Sequence, residues 1–215
     1  EEAKEEKTKE EAGSEIVFDH VTFSYEGASR PSLTDISFRV RPGETIGIIG
    51  PTGSGKSTLM DLVPRFYDAK KGRILIDGKD VTQIDEKKLR GQIAMVPQKA
   101  LLFSGTIMEN LLWGDKNADP QEVGRAAGLA CADEFVSSFP EGYETMLGQG
   151  GVNLSGGQKQ RLSLARALIR KPRILILDDC TSALDAMTES KVLAGIRKEA
   201  ASMTVLLVSQ RIATV

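Results

Sequence analysis

The sequence predicts an α/β protein built around a mostly parallel sheet, and three observations carry that expectation. Runs that are apolar on both faces recur at 45–49, 93–96, 174–177 and 205–208; strands of that kind suit a parallel sheet covered on both sides. Helical patterns at 56–66, 155–171 and 185–199 lie between them, the alternation of an α/β core. A glycine-rich turn, 50–57, joins the first of these runs directly to the first helical pattern.

Along the chain, residues 1–15 are mostly Glu, Lys, Ala and Ser without buried periodicity, so they read as a solvated linker, with ordered sequence starting at Ile16. Segments 16–18, 21–23 and 36–40 read as short strands separated by turn residues. Arg41-Pro42-Gly43-Glu44 is a turn into 45–49, expected as a buried parallel strand. The stretch 105–160 lacks apolar strands and reads as helices with glycine-rich turns, hence a helical lobe set into the core. In the helix over 155–171, Leu162, Ala165, Leu168 and Ile169 recur at helical spacing and form its buried stripe. The expected division is therefore a linker over 1–15, core over 16–104, helical subdomain over 105–160, and core again over 161–215. No internal repeat is evident.

Composition narrows the classes. A chain of 215 residues, 40% apolar and 27% charged, is an ordinary globular domain or a core with an inserted lobe. A net charge of −2 gives no basic surplus, so nucleic acid is not expected as a partner. Cys131 and Cys180 stand far apart and His20 is the single histidine, which argues against zinc and for a reducing, cytosolic setting. No run approaches the roughly 20 apolar residues that cross a bilayer, and no apolar segment follows Glu1 and Glu2 as a cleavable signal would. The piece is expected to be soluble, with any membrane role reached through a partner or a preceding portion.

Gly50, Pro51, Thr52, Gly53, Ser54, Gly55, Lys56 and Ser57 fit G-x-x-x-x-G-K-[ST], with an apolar strand before them and a helix former, Thr58 onward, after them. Gly53 and Gly55 let the backbone curl so that successive N–H groups converge on phosphate oxygens. The helix opening near Lys56 adds the positive end of its dipole. The Lys56 ammonium is expected at the β- and γ-phosphates and the Ser57 hydroxyl on magnesium. Asp178 closes the apolar run 174–177, and a parallel strand delivers such a carboxylate to the sheet edge beside the loop. The expected ligand is a nucleoside triphosphate with its magnesium ion, in a P-loop NTPase core.

A second motif, Leu154-Ser155-Gly156-Gly157-Gln158, precedes the helix that carries Leu162. Ser155 can cap that helix while Gly156 and Gly157 bare its N-terminus, which makes a second anion site.

With both motifs in place, the chain resembles the nucleotide-binding domain of ATP-binding cassette (ABC) transporters over about residues 16–215. The resemblance implies a RecA-like core with an antiparallel β subdomain and an inserted helical subdomain, binding ATP and Mg2+. It implies that Tyr25 stacks on adenine, that Gln98 touches magnesium and senses the membrane domain, and that Ser182-Ala183-Leu184-Asp185 crosses to the opposite subunit. The stretch Phe103-Ser104-Gly105-Thr106-Ile107-Met108-Glu109-Asn110-Leu111 is similar to the exporter branch, and 145–152 resembles the exporter loop that feels the membrane helices. In this family two such domains pack head to tail, and each phosphate loop faces the partner's LSGGQ across the nucleotide. The implied partners are therefore a second nucleotide-binding domain and the transmembrane domains, at the cytoplasmic face of the cell membrane.

Three positions depart from the family pattern. Asp179 stands where the family carries a glutamate as general base, and its carboxylate is one methylene shorter. Gln210 stands where a histidine usually meets the γ-phosphate; glutamine can donate a hydrogen bond but cannot become a cation. Gly148-Gln149-Gly150-Gly151 replaces Gly-Glu-Arg-Gly. Binding positions and LSGGQ are complete while two catalytic positions are altered. The expected role is thus the degenerate-site subunit of a heterodimeric exporter, with Ser155 to Gln158 completing the partner's competent site. Alternatives are a symmetric exporter with two slow sites, drift within a working ATPase, a regulator that keeps ATP as a structural ligand, and a soluble cassette ATPase of DNA repair or translation. The family also continues past the switch position with another strand and helices, so a C-terminally truncated chain with an exposed sheet edge is expected.

Overall fold

The computed structural model describes residues 13–199 and 203–209. Its strands in chain order are β1 (Ile16–Phe23), β2 (Leu33–Val40), β3 (Thr45–Ile49), β4 (Lys71–Ile76), β5 (Lys79–Asp80), β6 (Ile93–Val96), β7 (Gly105–Thr106), β8 (Met146–Leu147), β9 (Ile174–Asp178) and β10 (Thr204–Ser209). The α-helices are α1 (Lys56–Leu62), α2 (Glu86–Gly91), α3 (Ile107–Leu112), α4 (Pro120–Leu129), α5 (Asp133–Val136), α6 (Gly156–Ile169) and α7 (Ala186–Glu199).

A parallel sheet in the order β3-β10-β9-β6 forms the centre, and an antiparallel sheet, β2-β1-β4-β5, lies against it. The parallel strands are apolar on both faces because each face meets its own layer. Ile174, Ile176, Leu206 and Val208 pack with the antiparallel sheet and α1, whereas Leu175, Leu177, Val205 and Leu207 pack with the helices after β6. Side chains alternate along a strand, so two adjacent apolar residues serve two cores. The mixed α/β fold with its antiparallel subdomain is as the sequence predicts.

Several local expectations need correction. Segments 45–49 form a parallel strand, but β3 sits at the edge of the sheet among the described residues; its side chains are half-buried or exposed, Ile49 at 44%. Segments 16–18 and 21–23 belong to one strand, which slips register between Phe18 and Val21, where His20 adopts φ 53°. Order begins before Ile16: Ser14 is buried, and its carbonyl accepts from Thr204 Oγ1 at 2.7 Å. A Cβ on Gly13 would lie 2.6 Å from the Thr204 nitrogen, so the entry to the fold requires glycine there. The first helix stops at Leu62 rather than at 66.

The 105–160 stretch is helical, yet it carries a short strand pair, with β7 antiparallel to β8. Its apolar residues, among them Ile107, Leu111 and Val123, join one cluster with Leu175 and Leu207 of the sheet, so it packs as a layer on the core. On α6, Leu162, Ala165, Leu168 and Ile169 are all buried, as their spacing predicts. Among the described residues no helix is long and apolar enough to cross a membrane.

Candidate nucleotide site

Register positions the site. β10 pairs Ser209 with Ile49 on one side and Val208 with Asp178 on the other. The loop leaving β3 and the carboxylate ending β9 therefore emerge at the same C-terminal edge. Such an edge is where open parallel sheets bind ligands.

The loop is shaped by its glycines. Gly53 has φ 79° and Gly55 φ 88°, values in the left-handed region that costs other residues strain. Gly55 is also the N-cap of α1, and no side chain caps that helix, so its first N–H groups remain for an anion. A Cβ at Gly55 would stand 2.7 Å from the Ser32 carbonyl oxygen. Lys56 donates from Nζ to the carbonyls of Gly50 (2.7 Å) and Pro51 (2.8 Å), with Ser54 Oγ at 3.4 Å. Those two residues thus hold the lysine over the loop and do not line the cleft.

Two carboxylates face the loop. Ser57 donates from Oγ to Asp178 Oδ1 at 3.1 Å, and Gln98 donates from Nε2 to Asp179 Oδ2 at 2.9 Å. Burial pushes the Asp178 carboxyl above the usual range; the Ser57 hydrogen bond and Lys56 oppose that, and Asp179 adds to it. Burial also raises Asp61, with Asp178 as a second cause. Asp179 is buried and sits at φ 47° with its N–H on the Val208 carbonyl (3.0 Å). Ser182 Oγ donates to the Asp179 carbonyl at 2.9 Å, which ties the start of the 182–185 loop to the strand end.

Tyr25 forms the far wall. Its hydroxyl lies 3.0 Å from Thr58 Oγ1, and its ring meets Phe23 and Tyr67 edge to face at 4.9 and 5.2 Å. Together Tyr25, Thr52, Gly53, Ser54, Gly55, Lys56, Ser57, Thr58, Gln98, Asp178 and Asp179 line one cleft of about 530 Å3, with Pro31, Ser32 and Val208 completing it. Sequence reasoning missed these last three and Tyr67. An aromatic following the α1 pattern is a signal that could have drawn attention to Tyr67; nothing local marks Pro31 or Ser32.

Ser155, Gly156, Gly157 and Gln158 are elsewhere and take no part in lining this cleft. Ser155 caps α6, accepting from the Gln158 N–H at 3.2 Å while Gln158 Oε1 accepts from the Ser155 N–H at 2.9 Å. Ser155 and Gly156 are exposed. Gln210 lies outside the described residues.

Comparison with known proteins agrees with this geometry. The family model described as ABC transporter matches residues 33–182. An uncharacterized ABC transporter ATP-binding protein of Bacillus subtilis, YfiB, is 55% identical over 93% of this chain and 34% of its own length. A putative multidrug export ATP-binding/permease protein of the same organism, YgaD, is 46% identical over 93% of this chain and 34% of its own. A solved structure of a bacterial Atm1-family ABC exporter with ATP bound superposes with a TM-score of 0.89 at 41% identity, over 94% of this chain and 35% of that one. The chain spans about a third of the length of these relatives.

Proposed function

The chain belongs to the ABC transporter family, and from that premise we propose that it is the ATP-binding motor domain of an exporter, holding Mg-ATP at its own loop and hydrolysing it slowly there. The observation that carries the reading is the pair at the end of β9: Asp178 is engaged by Ser57, and the next residue, where a general base is needed, is an aspartate engaged by Gln98.

In this reading Lys56 exchanges the Gly50 and Pro51 carbonyls for β- and γ-phosphate oxygens, and the N–H groups at the start of α1 bind the same phosphates. Tyr25, braced by Thr58 and Tyr67, stacks on the base. Ser57 and Asp178 supply hard oxygen donors 3.1 Å apart, which fits magnesium held by few protein ligands beside phosphate and water. Ser57, Asp178 and Gln98 would hold Mg2+, which would neutralise phosphate charge when bound. Asp179 is one methylene short of the reach a glutamate gives; a placed general base contributes about 10²–10⁴ in rate, and a large share is lost. A glutamine such as Gln210, in the histidine position, can donate a hydrogen bond but cannot carry charge.

The LSGGQ segment supports action in trans, since its Ser155 and Gly156 are exposed at the start of α6 and it lines no part of this chain's own cleft. We assign its Ser155, Gly156, Gly157 and Gln158 to the site of a second nucleotide-binding domain packed head to tail. An intact signature beside two altered catalytic positions favours a non-identical partner. ATP that binds only the closed pair shifts the population toward closure. The relatives' names, ATP-binding/permease, support a place beside transmembrane domains at the cytoplasmic face of a membrane.

An ATPase assay of the chain, alone and with its partner subunit, tests this. Slow turnover alone, rising with a partner that carries glutamate and histidine at the altered positions, is expected. Robust turnover by the isolated chain, abolished in Asp179→Asn, would overturn the degenerate-site reading.

A further inference from the structure

Asp179 is held through Gln98, and Gln98 is itself held. Gln160, buried on the second turn of α6, directs its side-chain amide at the Gln98 main-chain carbonyl oxygen, to which Nε2 donates. The orientation is dictated by chemistry: a carbonyl oxygen can face only the NH2 end of the amide. The other end, Gln160 Oε1, is buried without a hydrogen-bond partner. Leaving a buried acceptor unsatisfied is unfavourable, and among the described residues the one hydrogen bond that offsets this cost for the side chain is the one to Gln98.

The connections form one path. Gln160 of α6 holds the Gln98 main chain, Gln98 Nε2 holds Asp179 Oδ2, and Ser182 Oγ holds the Asp179 carbonyl. Gln160 lies five residues beyond Ser155, about 7–8 Å along the helix axis at 1.5 Å per residue. One rigid helix therefore carries the exposed LSGGQ end and the anchor of this chain's own base position.

We propose that Gln160 is a positioning residue for this chain's own hydrolytic site: it fixes the Gln98 main chain so that the Gln98 amide sets the carboxylate at position 179. It lines no part of the cleft, and Lys56 and the N–H groups of α1 hold the phosphates without it, so its removal acts on turnover far more than on binding. The inference rests on the reading of position 179 as the base position.

The test uses the assembled transporter with Asp179→Glu as background and Gln160→Met as the variant, which keeps side-chain length and removes the donor. Turnover is read with the partner's own site silenced. Expected is a fall in kcat of about tenfold, with KM and the affinity for a fluorescent ATP analogue within about twofold. Gln160→Glu, which sets acceptors against the carbonyl, should lower kcat at least as far, and it is read the same way if the methionine variant does not fold. Unchanged kcat, or a parallel loss of kcat and ATP affinity, would overturn the proposal. If Asp179→Glu itself fails to raise turnover, it is the assignment of position 179 that fails, and Gln160 is then judged on whether its loss releases the Gln98 amide, read by side-chain amide NMR; unshifted Gln98 signals would overturn it.

Discussion

Ser57 and Asp178, 121 residues apart in sequence, meet at 3.1 Å, hydroxyl to carboxylate, where the glycine-rich loop crosses the end of β9. The contact satisfies part of a buried carboxylate that its surroundings otherwise disfavour in charged form. Replacing Asp178 by Asn removes that charge. Its folded-state pKa is raised, so the charged form costs stability near neutral pH. Asp178→Asn is therefore expected to raise the Tm of the nucleotide-free chain above neutral pH, the direction that a raised carboxyl pKa dictates. The same change should remove the magnesium dependence of ATP binding. Calorimetry without nucleotide, and titrations with and without EDTA, check the two halves.

Tyr67 is expected to matter for nucleotide affinity although it lies outside the phosphate loop. It meets the Tyr25 ring edge to face at 5.2 Å, and such pairs are worth about 0.5–1.5 kcal/mol. Tyr67→Leu should weaken ATP binding by about two- to tenfold while GTP and ATP lose discrimination little. An equal loss in Thr58→Val would point to the Tyr25 hydroxyl as the second brace; equilibrium dialysis reads both.

Gly55→Ala should unfold the loop locally. The residue sits at φ 88°, and a Cβ would meet the Ser32 carbonyl at 2.7 Å. Positive-φ strain alone costs about 1–3 kcal/mol. The expected result is lost ATP binding with a lowered Tm, measured by thermal denaturation with and without nucleotide. By contrast, Gly124→Ala, where a Cβ meets nothing within 4 Å, should leave binding intact.

The two thiols should differ in reactivity. Cys180 is buried, and burial pushes its pKa up to about 12; Cys131 is half-buried and is raised by burial too. Thiolate is the reactive form. At pH 8 the native chain should therefore react slowly with a maleimide at Cys131 and not measurably at Cys180, and unfolding should release both. Peptide mass mapping of the adducts distinguishes them.

The α/β core, the glycine-rich turn from Gly50 to Ser57, the carboxylate closing β9 at Asp178 and the capped helix at Ser155 were legible in the residues alone. Each is written in local residue types: glycines where φ is positive, serine where a helix begins, and apolar runs where strands are covered on both faces. The sequence also exposed the odd residue, Asp179. What meets across the chain follows from packing instead. Strand order and register place Val208 between Ile48 and Asp178, and no local pattern encodes which strand takes the sheet edge. For that reason β3 reads in sequence as buried and is found half-exposed. The brace of Tyr67 on Tyr25 and the hold of Gln160 on Gln98 are likewise long-range contacts. They arise because helix and strand faces are brought together by burial of apolar area, which selects the packing as a whole.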